Sequence, residues 1–138
     1  MRPPPPNPDF ENRVRASFTR QRARALLGAY LTRVEPGGVD IELPFRDDLG
    51  QQHGFVHGGV VGMIADSAGG YAAFTLMPAD ASVLTVEYKM NMLAPAEGDM
   101  LIARGEVLKA GRSLCVVRAD VWAVAATGKR AWPPCSRR

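Results

Sequence analysis

The chain has 138 residues, 46% of them hydrophobic and 22% charged, enough for one domain with a real core and too few for two. The formal net charge is +3, and basic residues crowd near the start (Arg13, Arg15, Arg20, Arg22, Arg24) and at the end (Lys129, Arg130, Arg137, Arg138). Few aromatics are interleaved with them, which argues for a solvated helix face and tail and against a nucleic-acid surface. No apolar run of membrane-spanning length escapes interruption by Gly, Pro or charge.

In chain order, residues 1–8 are Pro-rich and predicted to be disordered or extended. They lack a signal peptide's apolar segment, so a cytoplasmic protein is expected. Asn7 or Asp9 then caps a predicted helix over residues 9–27, with Phe10, Val14, Phe18 and Ala25 as its apolar stripe. Residues 30–35 and 39–43 read as a hairpin around Pro36-Gly37-Gly38, with Val39, Ile41 and Leu43 alternating against Asp40 and Glu42. Residues 46–56 form a polar loop long enough to be functional.

Residues 59–77 are apolar nearly all round, the pattern of a helix wrapped by other structure. Gly62, Gly69 and Gly70 weaken that helix and are expected to mark close approaches to a neighbouring element. Three β-like runs follow, at 83–91, 100–109 and 113–125. The first alternates Thr85, Glu87 and Lys89 against Leu84, Val86, Tyr88 and Met90. With no βαβ alternation, the order predicts an α+β domain over residues 9–126, a long central helix lying across a curved antiparallel sheet. Residues 127–138 form an atypical basic, Pro-containing tail. Cys115 and Cys135 have no CxxC spacing, which predicts a reduced, buried Cys115 and an incidental Cys135.

The most informative motif is His57-Gly58-Gly59 followed nine positions later by Asp66. A Gly-Gly helix start leaves backbone N–H groups open to a partner. A carboxylate within an apolar helix is costly unless something requires it. Two readings stand side by side: an electrophile-binding helix end with a carboxylate that acts on it, or a Gly-rich turn into a core helix whose Asp faces a solvated groove. Nine helical residues are two and a half turns, so the two groups point to opposite sides, about 13 Å apart along the axis. If both serve one site, Asp66 comes from another subunit, and a two-fold dimer with antiparallel helices supplies two equivalent sites. Rival constellations are weaker. His53 and His57 have no third metal ligand, Ser67 lacks the GxSxG context of a nucleophile, and no GKS or GKT marks a phosphate loop. No metal or cofactor is expected.

Several segments, taken in order, resemble the hotdog-fold acyl-CoA thioesterases of the phenylacetic-acid-degradation (PaaI-like) type. They are Gly54-Phe55-Val56-His57-Gly58-Gly59, Ala65-Asp66-Ser67-Ala68, residues 84–91, Leu93-Ala94-Pro95-Ala96-Glu97-Gly98-Asp99 and Gly111-Arg112-Ser113. The resemblance implies a hotdog fold, subunits paired into one continuous sheet, often a dimer of dimers, and hydrolysis of an acyl-CoA thioester. It implies that Asp66 is the catalytic carboxylate and that the Gly58 N–H polarises the thioester carbonyl. Gln51 and Thr85 hold or assist the attacking water, and His57 braces the turn. Gly59, Ser67, Asn91, Lys109, Gly111, Arg112 and Ser113 are the candidate substrate and CoA contacts. Met63, Tyr71, Phe74 and Met90 are candidates for a medium-chain or aryl acyl pocket, or for ordinary core.

The sequence departs from the family pattern at its end. A further apolar strand is usual there, and Pro133-Pro134 cannot donate to a ladder. Two other functions share the fold: a hydratase or dehydratase, and a non-catalytic acyl or CoA binder. The need to hold and deprotonate water favours hydrolysis.

Overall fold

The computed structural model describes residues 4–125. The expected tail at 127–138, with Cys135, and the first three residues of the Pro-rich segment lie outside them. Asn7 is buried, and its carbonyl accepts from the Phe10 N–H, so the chain joins the fold from there.

The predicted first helix is two helices, α1 (Phe10–Arg20) and α2 (Arg22–Leu27). The chain turns extended at Gln21 (φ −71°, ψ 107°). The bend keeps Val14 and Phe18 of α1 in the core while Leu27 and Ala29 also reach it; Ala25 is exposed. Neither expected side-chain cap forms on α1. Asn7 Oδ1 accepts from the Asp9 N–H, and Asp9 Oδ1 from the Asn12 amide.

Strands β1 (Tyr30–Glu35), β2 (Gly38–Pro44), β3 (Met100–Ala110) and β4 (Cys115–Val124) form an antiparallel sheet in that order. The hairpin between β1 and β2 turns through Gly37, whose φ of 73° lies in the left-handed region that favours glycine. The inner face follows the period of two: Ile41, Ala103 and Val121 stand in register across β2, β3 and β4, as do Leu43, Leu101 and Ala123, and all six are buried. On the outer face Asp40 of β2 sits between Arg33 and Arg104 of its neighbours.

The long helix α3 (Gly58–Phe74) lies on the inner face. Gly105 permits this approach, since a Cβ there would run into the Ala68 carbonyl. Gly69 meets Val117 of β4, and Gly62 meets Tyr88 and Met90, as expected of close-approach glycines. Gly70 does not: nothing lies within 4 Å of where its Cβ would be. The C-terminal end of α3 is held by Thr75, whose buried hydroxyl accepts from the Gly37 N–H at 2.7 Å. It is also held by Arg13, which donates to the Met77, Pro78 and Ala81 carbonyls and stacks on Phe74.

One expected strand differs. Residues 83–91 lie outside the four-stranded ladder. Their alternation is intact, yet Leu84, Val86 and Tyr88 are exposed in the single chain, Leu84 by 89%. No helix among the described residues is long and apolar enough to cross a membrane.

Candidate active site

The first group of candidate residues surrounds the start of α3. A short 3-10 turn (Asp47–Leu49) leads into a loop that closes on itself: the Gln51 N–H donates to the Phe55 carbonyl at 2.8 Å and the Gly54 N–H to the Gln51 carbonyl at 3.1 Å. Gln51 Oε1 accepts from the His53 N–H. The His57 N–H reaches the Leu49 carbonyl and the Val56 N–H the Ala96 carbonyl, both at 2.9 Å. His57 is the N-cap residue of α3, and its Nδ1 accepts from the Gly59 N–H at 2.9 Å. Gln51, His57, Gly58 and Gly59 thus belong to one loop and helix start.

The second group lies further along α3. Asp66 is half-buried, and its Oδ1 accepts from the Thr85 hydroxyl at 2.7 Å. Both residues line a cavity of about 700 Å³, within the range of small-molecule sites. Its floor is one stripe of α3, Val61, Ala65, Gly69 and Ala73, at steps of four. Its walls are residues 82–90 and 113–117.

The other candidates divide between this cavity and elsewhere. Ser113 lines it. Lys109, Gly111 and Arg112 are exposed where β3 turns into β4, and the Gly111 N–H closes that turn on the Leu114 carbonyl at 2.9 Å. Asn91 is half-buried just past Met90, where the 82–90 wall of the cavity ends. Ser67 borders a separate crevice beside Phe18, Leu27 and Ile41.

Of the four candidate acyl-pocket residues, Met90 alone borders the cavity. Tyr71 stands edge-on between Phe18 (5.6 Å) and Phe74 (6.3 Å) in the core, and Met63 borders the crevice with Ser67. Cys115 is half-buried and lines the cavity. Burial pushes its thiol pKa up, so it is not a poised nucleophile. Sequence reasoning missed Gly70 as a cavity wall. The missing signal was the space beside it, which no spacing encodes.

The family model of the Thioesterase superfamily matches residues 53–126, a stretch that holds His57, Gly58, Asp66 and Thr85. The chain belongs to the thioesterase superfamily. A solved thioesterase family protein from Silicibacter pomeroyi is 47% identical, covers 88% of each chain and superposes with a TM-score of 0.85. The PaaI protein of E. coli, from the phenylacetic acid degradation operon, has a TM-score of 0.78 over 88% of this chain and 86% of its own at 19% identity, a likeness of fold. Among curated proteins, the 1,4-dihydroxy-2-naphthoyl-CoA hydrolase of Listeria monocytogenes is 27% identical over 101 residues, 73% of this chain and 78% of its own. A candidate esterase of Saccharolobus solfataricus is 32% identical over 87 residues, and the match spans 63% of this chain and 61% of that relative. In this superfamily member, the four-stranded sheet with α3 across it is the hotdog fold that the motifs imply.

Proposed function

We propose that the protein is an acyl-CoA thioesterase whose active sites are shared between the two subunits of a homodimer. The observation that carries the reading is the Thr85–Asp66 pair opening on the apolar cavity. A hydroxyl and a carboxylate 2.7 Å apart can hold a water and take its proton.

In this reading Asp66 removes a proton from water while the oxygen attacks the thioester carbonyl carbon. The Gly58 N–H of the other subunit binds the carbonyl oxygen as it gains negative charge. The C–S bond then breaks, giving the free acid and coenzyme A as thiolate, which takes up a proton. Gln51 orients the water from the loop side, and Lys109 and Arg112 hold the anionic phosphates of CoA. The acyl group is medium-chain or aryl.

The dimer is supported by one chain's geometry. Asp66 lies on α3 eight residues beyond Gly58, about 12 Å along the axis, so one chain does not bring both to a single carbonyl. The exposed row Leu84, Val86 and Tyr88 supports a second copy covering it. Two such dimers would pair as a tetramer.

The test is release of free thiol, followed with DTNB, over a panel running from butanoyl- to hexadecanoyl-CoA and including phenylacetyl-CoA. Thiol release with a preference for medium-chain or aryl groups is expected. A hydratase, or a protein that only binds acyl-CoA, would release none from any member of the panel.

A further inference from the structure

We infer that His57 is a positioning residue that leaves the Gly58 N–H as the single open donor at the start of α3; the inference rests on the thioesterase reading above. A helix begins with four backbone N–H groups that have no partner within the helix. Here, with His57 as the N-cap, they belong to His57, Gly58, Gly59 and Val60. The His57 N–H donates to the Leu49 carbonyl and the Val60 N–H to the His57 carbonyl, both at 2.9 Å, and the Val61 N–H makes the first helical bond to the same His57 carbonyl at 3.2 Å. The Gly59 N–H donates to His57 Nδ1 at 2.9 Å. His57 therefore takes two of the four donors, and the loop takes the third, its own N–H. Among the described residues the Gly58 N–H has no acceptor.

The chemistry of the ring follows. Nδ1 accepts, so in the neutral imidazole the proton is on Nε2. Two consecutive glycines give the turn no stiffness of its own, because glycine has the widest choice of backbone angles. The side-chain cap supplies that stiffness. Without it the Gly59 N–H becomes a second open donor beside the first, and the direction of the Gly58 N–H is no longer fixed. An oxyanion donor works only when it is already aimed at the place where charge develops. His57 thus acts on the thioester through the backbone, and its Nε2 has no part in proton transfer.

The substitutions that separate this role from direct acid–base work are His57→Ala and His57→Asn. Asn Oδ1 stands the same number of bonds from Cβ as His Nδ1, and Asn is among the best N-cap residues. It has nothing in the place of Nε2. With octanoyl-CoA as probe, His57→Ala should lower kcat about ten- to hundredfold, less than the loss of a whole oxyanion donor. KM should stay within about twofold, as expected when an interaction made only in the transition state is lost. His57→Asn should recover kcat to within about threefold of wild type. Hydrogen exchange at the Gly59 amide, read by NMR, should be faster in His57→Ala and near wild type in His57→Asn.

An Asn variant as impaired in kcat as the Ala variant would overturn the inference, because the imidazole itself would then be needed. Equal Gly59 exchange in all three proteins would overturn the cap. A wild-type protein that releases no thiol overturns the thioesterase reading and the selection of Gly58 with it, while the exchange measurement still decides the cap.

Discussion

The Thr85 hydroxyl donates to Asp66 Oδ1 at 2.7 Å, joining a residue of α3 to one nineteen positions later in an extended segment. The bond leaves Oδ2 of the carboxylate for a water and ties the carboxylate to one orientation. Removing the hydroxyl without changing the shape should therefore slow the reaction without stopping it. Thr85→Val is expected to lower kcat about tenfold, less than the two to four orders of magnitude expected for losing a general base. Steady-state thiol release from one acyl-CoA checks this, and an unchanged kcat would remove Thr85 from the mechanism.

Much of this arrangement was legible in the sequence because it is local. The hairpin around Gly37, the apolar helix from Gly58 and the inward row of β2 follow from period and turn chemistry over a few residues. What was not legible depends on distant partners. Asp40 reads as an outward polar residue of an alternating strand, yet it is buried by Arg33 and by Arg104, the latter 64 positions away. Arg13 reads as one charge among several on a solvated face, yet it closes the end of α3 through three carbonyls. Residues 83–91 carry a strand's alternation, but alternation does not name the edge a strand joins. The Asp66 motif was found by its spacing; the cavity beside it, with Gly70 in its wall, was not.

The outer-face ion pairs give a stability prediction with a definite sign. Burial pushes the Asp40 carboxyl up, and hydrogen bonds from Arg33 (2.7 Å) and Arg104 outweigh it, so its pKa is held below the usual carboxylate range. A group whose pKa is depressed on folding stabilises the fold above its unfolded value, about 4, and that stability is lost as pH falls through the folded value. Asp40→Asn should cost about 1–3 kcal/mol at neutral pH, the scale for a buried hydrogen-bonding group that loses its charged interactions. The variant should also lose less stability than wild type between neutral pH and acid. Urea melts at several pH values check both. Parallel stability curves for the two proteins would remove Asp40 from the acid response.

Arg112 is exposed on the turn between β3 and β4, where the proposal has CoA phosphates bind. Arg112→Ala should raise KM for an acyl-CoA about tenfold, the scale of one charge-assisted contact. It should leave KM for the same acyl group on a short thiol without the nucleotide nearly unchanged. Equal effects on both substrates would exclude a phosphate contact.

The shared site predicts complementation. In the proposed site Gln51 comes with the helix start of one chain and Asp66 from the other, so a mixed dimer of Gln51→Ala and Asp66→Ala would have one site with both groups intact. Activity should return when the two variants, each folded by circular dichroism and each strongly impaired, are unfolded and refolded together. If mixed dimers form by mass spectrometry and no activity returns, the two residues act from the same chain.

The central claim is that Asp66 activates the water that cleaves a thioester, and the most direct measurement is thiol release by Asp66→Ala. The substrate is whichever acyl-CoA the wild type hydrolyses fastest. The account predicts a folded protein whose kcat is lower by about two to four orders of magnitude. A variant that hydrolyses the thioester at near the wild-type rate would contradict it.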